Sequence, residues 1–282
     1  MTMKWSKGIF VLFLVFFVSS LSYSKEKENE GEVTTEGESL RQSYHRLESR
    51  YGLARVQPVH SSEKEMLHNF WISGEFVLSP EVSLTGRLPF VTLGSQLALT
   101  NPSLGLKGSL FEGLLKGFPA FVFLEGSIKP PLASQKEFVF KRTDVFLGVS
   151  SLREVYHLSL GSDLSYTLKL DPSSALENYG NELAASIYGE LNTGYQFSLG
   201  LNLNYRRAGD LEMKDQEKTL SGRSVFIMKP YFSYHYTPDV TFQGTLAMPL
   251  AQRLSEALRV FGDYTIPGIG GNTFYLTFER KF

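Results

Sequence analysis

The sequence predicts an all-β chain that closes as a transmembrane antiparallel up-and-down β-barrel of about 12 strands, with a short N-terminal helix. Three observations point there. Several segments alternate apolar and polar residues with a period of two. Short and long connections alternate between those segments, and the chain finishes on an amphipathic stretch with an aromatic end. Beyond the N-terminal segment, no window approaches the roughly 18 apolar residues of a spanning helix. A chain that crosses a bilayer without such a helix must be a closed barrel, since only these two structures satisfy their backbone in lipid.

Residues 1–24 read as a secretory signal peptide. Lys4 and Lys7 supply a basic start, Ile9 to Val18 an apolar run, and Ser19 to Ser24 the small residues of a cleavage region. The apolar run is about half of the roughly 20 residues a membrane anchor needs. Residues 25–51 read as a leader and a short helix. Lys25 to Ser39 is Glu-rich, with Val33 as its one aliphatic residue, which predicts disorder. Leu40, Tyr44, Leu47 and Tyr51 then recur at intervals of four, three and four, which predicts an amphipathic helix.

Residues 52–282 read as the barrel, with Gly52 to Val59 as its first strand. The clearest segment runs from Tyr156 to Leu168. Its even positions are Tyr, Leu, Leu, Ser, Leu, Tyr and Leu, and its odd positions are His, Ser, Gly, Asp, Ser and Thr. A pleated strand sends the two sets to opposite faces. Tyr195 to Tyr205 repeats the arrangement. Tyr156, Tyr166, Tyr195 and Tyr205 close the apolar faces of these strands as an expected membrane girdle. Ten residues at about 3.3 Å rise and a tilt near 45° cover roughly 23 Å, close to the apolar band of about 25 Å in outer-membrane barrels. The polar face carries mostly Ser, Thr, Asn, Gln and Gly. A soluble sandwich facing bulk water carries more Lys and Glu there.

The connections fall into two classes. Short turns are expected at Ser79–Glu81, Leu114–Phe118, Ser151–Glu154, Asn192–Gly194 and Thr237–Asp239. Longer polar loops are expected at 94–102, 129–136, 171–181, 207–221 and 251–271. That alternation suits a barrel with short periplasmic turns and longer outer loops. The segment Phe274 to Phe282 places Phe274, Leu276 and Phe278 on one face and ends on Phe282. It is similar to the terminal strand by which bacterial barrels are recognised for insertion.

Composition excludes several function classes. With no cysteine, disulfides, thiol catalysis, thiolate metal ligands and N-terminal lipidation are out of reach. A formal charge of −1 gives no electrostatic case for nucleic acid. Of the five histidines, His157 and His235 fall beside short turns on polar faces, outside any serine-hydrolase motif. No phosphate loop or paired-carboxylate setting is present, so no catalytic, metal or cofactor site is expected. The charges on the predicted inner faces are Glu75, Arg87, Lys107, Glu125, Lys141, Asp163, Lys169, Glu190, Lys229, Glu279 and Lys281. They are of mixed sign, which suits a salt-bridged lumen or a weakly selective pore.

Four stretches carry a family resemblance. They are Leu78 to Phe90, with Pro89 before an aromatic residue; Asn101 to Lys107; Phe118 to Phe121 followed by Lys129-Pro130-Pro131; and Pro230 to Tyr234 with Met248-Pro249-Leu250. Together they resemble the outer-membrane barrel family named for the meta-pathway of phenol degradation, across roughly residues 70 to 282. Asn101 stands where that family tends to carry an acidic residue. The resemblance implies a barrel with a transport role and no fixed solute. The expectation is therefore an outer-membrane, non-enzymatic passive channel or uptake pore for small molecules, hydrophobic ones among them. Its partners would be the outer-membrane bilayer, the barrel-assembly machinery acting on the C-terminal strand, and an unidentified solute. The alternatives are a closed barrel whose surface loops bind a partner, and a lipid-modifying enzyme.

Overall fold

The structure, a computed structural model, describes residues 45–56, 65–93, 96–115, 118–132, 142–171, 177–193, 196–214, 217–250, 261, 265–269 and 271–282. The expected signal segment, the leader with Leu40 and Tyr44, Lys141 and Tyr195 lie outside the described residues.

The strands in chain order are β1 (Arg46–Val56), β2 (Glu65–Ser79), β3 (Val82–Leu93), β4 (Gln96–Leu99), β5 (Ser103–Leu115), β6 (Phe118–Lys129), β7 (Thr143–Val155) and β8 (Leu158–Leu170). They continue with β9 (Glu177–Tyr179), β10 (Glu182–Asn192), β11 (Phe197–Ala208), β12 (Leu211–Met213), β13 (Lys218–Leu220), β14 (Ser224–Thr237), β15 (Val240–Pro249) and β16 (Thr273–Lys281). Twelve of them form one antiparallel ring in the order β1, β2, β3, β5, β6, β7, β8, β10, β11, β14, β15 and β16. The ring closes where β16 pairs with β1, from Arg46↔Lys281 to Ala54↔Thr273. The short strand β4 folds back on β3, and β9, β12 and β13 make a separate small sheet. Tight connections and both termini of the ring lie at one end, and the long connections lie at the other.

The alternation explains why the ring forms in this register. On β8, Leu158, Leu160, Leu164, Tyr166 and Leu170 face outward, while Ser159, Gly161, Asp163, Ser165, Thr167 and Lys169 face in. On β10, Leu183, Ile187 and Leu191 face outward and Glu182, Ala184, Ser186 and Tyr188 face in. On β11, Phe197, Leu199, Leu201 and Tyr205 face outward and Ser198, Asn202, Asn204 and Arg206 face in. An apolar exterior around a polar interior inverts the soluble pattern and suits a hydrocarbon solvent. A slip of one residue in any pair would turn charges to the outside and leucines to the inside.

The structure corrects three expectations. The first strand, Arg46–Val56, starts at Arg46 rather than at Gly52, so Leu47 and Tyr51, read as part of a helix, lie in β1; positions 57–59 of the expected strand lie outside the described residues. A spacing of four keeps two residues on one face of a strand as well as a helix, and pairing with β2 and β16 decides between the two. The third short turn lies at Tyr156–His157 rather than Ser151–Glu154, because β7 continues to Val155. Tyr156 therefore sits at the tip of that turn, with φ of 53° and 88% exposure, and not at a strand end. Tyr166 and Tyr205 do lie on outward strand faces.

Candidate functional site: a charged lumen

The inner wall encloses a cavity of about 680 Å³. Arg46, Arg50, Arg87, Lys107, Lys129, Arg142, Lys169, Arg206 and Lys229 line it, against Glu48, Glu75, Glu125, Asp144, Asp163 and Glu182. Among the described residues, cations thus outnumber anions by nine to six around this one cavity.

Most of the acids are held by cations. Glu75 is shared by Arg46 at 3.2 Å and Lys107 at 3.1 Å, and Arg46 also lies 3.7 Å from Glu279. Glu48 pairs with Arg50 at 3.1 Å, and Asp144 with Arg142 at 2.7 Å. Glu182 accepts from Arg206 Nε at 2.6 Å and lies 3.7 Å from Lys169 Nζ. Asp163 accepts from the Ser186 hydroxyl at 2.7 Å. The strand registers bring these groups together, since β2 carries Glu75 beside Arg46 of β1 as direct partners.

Aromatic rings shape the wall around them. The Trp71 ring is buried beneath two guanidinium groups, with Arg87 4.2 Å and Arg50 5.1 Å from its centroid. Cations over an indole face are attracted by its quadrupole, so the two arginines share one platform. Three inward tyrosines lie flat on glycines of the neighbouring strand: Tyr275 on Gly52, Tyr188 on Gly161, and Tyr231 on Gly200. A Cβ at Gly161 would come 1.9 Å from the Tyr188 ring, and one at Gly200 would come 2.0 Å from the Tyr231 ring. Only glycine admits the rings against the wall. Phe121 and Phe123 of β6 stack at 6.2 Å, and Lys107 Nζ caps Phe123 at 4.6 Å. That covers the inner side of a strand whose sequence is apolar on both faces.

The long-loop end is narrowed by the chain itself. Phe261 and Ile269, from the connection between β15 and β16, are fully buried in one apolar cluster with Val56, Val91, Val225, Ile227 and Ala247 of the inner wall. Leu211 and Met213 of β12 and Tyr179 of β9 join the same cluster. The carbonyl of Phe261 accepts from Lys169 Nζ at 3.0 Å and Arg142 Nη2 at 3.4 Å, so two lumen cations tether the plug. Outside the membrane-crossing strands, burial pushes the Tyr179 hydroxyl up from its ordinary range, and its hydrogen bond to Glu177 pushes the same way. Burial also raises the Asp171 carboxyl, although the Tyr179 amide donates to it at 2.6 Å.

His157 and His235, the two histidines placed beside short turns, lie apart from any hydrolase-like arrangement among the described residues. His157 lies in the tight turn beside Tyr156. His235 faces inward, with Nε2 2.9 Å from Ser198 Oγ and Nδ1 3.1 Å from Thr241 Oγ1. Ser198 is 1% exposed on the inner wall, so its hydroxyl is not presented to a substrate. Among the described residues, no three His, Asp or Glu side chains converge as a metal site.

Of the charges expected inside, Glu75, Arg87, Lys107, Glu125, Asp163, Lys169 and Lys229 line the cavity together. Glu190 shares the inner face of β10 and bonds the Tyr231 hydroxyl, while Glu279 sits by Arg46 and Lys281 pairs with Arg46 in register. Arg46, Glu48, Arg50, Lys129, Arg142, Asp144, Glu182 and Arg206 were not anticipated. Their signal was present for Arg46, Glu48 and Arg50, which alternate with Leu47, Ser49 and Tyr51. Arg206 and Glu182 likewise continue the inward phase of Asn204 and Ala184. Phe274, Leu276 and Phe278 face outward on β16, with Phe278 5.4 Å from Phe242, and Arg280 stacks over Phe282 at 4.9 Å.

No family model and no curated protein matches the chain. Solved structures do. The COG4313 outer membrane channel from Pseudomonas putida F1 aligns with a TM-score of 0.63 at 12% identity, over 89% of this chain and 100% of that one. The NanC porin aligns with a TM-score of 0.51 at 10% identity, over 84% of this chain and 100% of that one. The chain shares with these proteins the fold of a closed antiparallel barrel. At these identities the likeness is one of fold, and the family named from sequence motifs is not among these findings.

Proposed function

We propose that the protein is an outer-membrane pore that passes small polar solutes passively, in the manner of the meta-pathway barrel family its motifs resemble. The observation that carries this reading is the charged, hydrophilic cavity enclosed by a ring whose outer face is apolar. The polar groups of such a wall replace part of a solute's hydration along the path, while the exterior matches lipid. A hydrophobic solute finds little matching surface among these ion pairs, so polar solutes are the better fit. The reading assigns the chain no catalytic step. It also assigns recognition by the assembly machinery to β16, whose outward Phe274, Leu276 and Phe278 line one apolar face.

A second reading, a closed barrel, is favoured by the plug around Phe261 and Ile269. One experiment separates them. Purified protein that shows a heat-dependent gel shift is incorporated into planar bilayers at salt concentrations near 1 M. Discrete conductance steps support the pore. Folded protein that inserts and never conducts overturns it in favour of the closed barrel.

A further inference from the structure

We infer that the lumen holds an anion-binding locus centred on Lys229, and that the pore therefore prefers small solutes bearing a carboxylate or phosphate. This rests on the channel reading above and adds the solute class.

The argument begins with which cations lack an acid. Glu75 and Glu182 are each divided between two cations, Glu48 is held by Arg50, and Asp144 by Arg142. Lys229 of β14 lines the same cavity and forms no ion pair or hydrogen bond among the described residues. Its charged neighbours are Arg206, Arg50 and Asp163. Asp163 is the one acid among those three. It is bound by Ser186 and makes no ion-pair contact with Lys229. Lys229 therefore faces the cavity with no acid among the described residues paired to it, beside Arg206 and Arg50, whose charges Glu182 and Glu48 already hold.

The wall beside Lys229 is built to hydrogen-bond a guest. Asn202 is its direct cross-strand partner on β11, and Asn204 and Arg206 follow on the same inward face. The side-chain oxygens of Asn202 and Asn204 are buried without a hydrogen-bond partner, as is Arg50 Nε. With both oxygens turned into the wall, the NH2 groups are the amide atoms left to meet an anion. Concentrated like charge in a low-dielectric wall raises the local concentration of the opposite ion and lowers the barrier to its passage. Carboxylate and phosphate suit the site because both accept bonds from an ammonium, a guanidinium and an amide at once.

The test is the reversal potential across a bilayer separating two KCl concentrations. The wild-type barrel is expected to give a chloride-to-potassium permeability ratio above one, of about 3. Lys229→Met should bring the ratio toward one, and Lys229→Glu should take it below one. Asn202→Asp, which places a carboxylate opposite Lys229, should shift it in the same direction and serves if a Lys229 variant loses its heat-dependent gel shift. Lys214→Met removes an exposed cation outside the lumen and should leave the ratio unchanged. Added gluconate and inorganic phosphate should each block chloride current, and the stronger blocker names the preferred anion. Both block less in Lys229→Met. Absence of any current would overturn the channel reading and this inference together. A conducting wild type with a ratio at or below one, or a ratio indifferent to Lys229, overturns this inference and leaves the channel standing.

Discussion

Replacing Glu182 by glutamine tests whether the lumen ion pairs hold the wall together. Glu182 opens β10 and is 4% exposed. Its carboxylate holds Arg206 at 2.6 Å and lies 3.7 Å from a fully buried Lys169 ammonium. The glutamine keeps the shape and loses the charge, which strands two cations against one wall. Breaking a buried ion pair from one side costs about 3–5 kcal/mol. Two features place this case at the lower end. Lys169 retains the Phe261 carbonyl at 3.0 Å, and the Arg206 side chain is 22% exposed, so lumen water can solvate it. The expected loss is about 3 kcal/mol, roughly a hundredfold in the folded-to-unfolded ratio.

The assay is urea unfolding in lipid vesicles, followed by tryptophan fluorescence, since Trp71 sits in the inner wall. Glu182→Gln should unfold at a clearly lower urea concentration than the wild type. The combined variant Lys169→Met, Glu182→Met, Arg206→Met should recover much of the loss, because removing all charges leaves none stranded. An unchanged midpoint in Glu182→Gln would refute the reasoning. It would mean that lumen water already screens these pairs as it does on an open surface.

Three other perturbations probe the wall, the belt and the plug. Ile187→Arg places a charge on the lipid face of β10, where the isoleucine is 60% exposed, and should cost about 2–4 kcal/mol in vesicles if this position lies near the bilayer midplane; equal stability would argue against a lipid-facing position. Gly161→Ala puts a methyl group 1.9 Å from the Tyr188 ring and should drive that ring into the lumen, lowering single-channel conductance; an unaltered conductance would show that the ring escapes elsewhere. Phe261→Ala empties a fully buried site and should destabilise the plug by about 3–5 kcal/mol while raising conductance; a smaller current would contradict the plug's role.

The sequence reveals the parts of the fold whose pattern is local. β8 and β11 are legible because leucine and tyrosine alternate with serine, glycine and asparagine over a full strand. β1 is not, because its inward residues Arg46, Glu48 and Arg50 are charged and its outward Leu47 and Tyr51 also fit a helical spacing. Only the step from Tyr44 to Leu47, which breaks the parity of a strand, favoured helix. The three-residue strands β9, β12 and β13 are too short to carry a period. The lumen charges on clear strands were readable from phase alone. Their pairing was not, since Glu75 meets Lys107 and Ser198 meets His235 through registers that join residues more than thirty positions apart. The burial of Phe261 rests on a cluster drawn from strands far apart in sequence and leaves no mark in its own neighbourhood.

The seam between β1 and β16 has a kinetic consequence. The ring is complete only when its earliest strand meets its latest one, so its final hydrogen bonds join residues more than two hundred positions apart. Closing so long a loop is slow, because chain entropy is lost before the contact rewards it. During that interval both rims carry unpaired amides and carbonyls, which invite pairing with any other strand. A chain that has all its other strands in place is therefore an open template, able to join its neighbours edge to edge. The unpaired edge of β1 is therefore where misassociation would begin before β16 pairs with it.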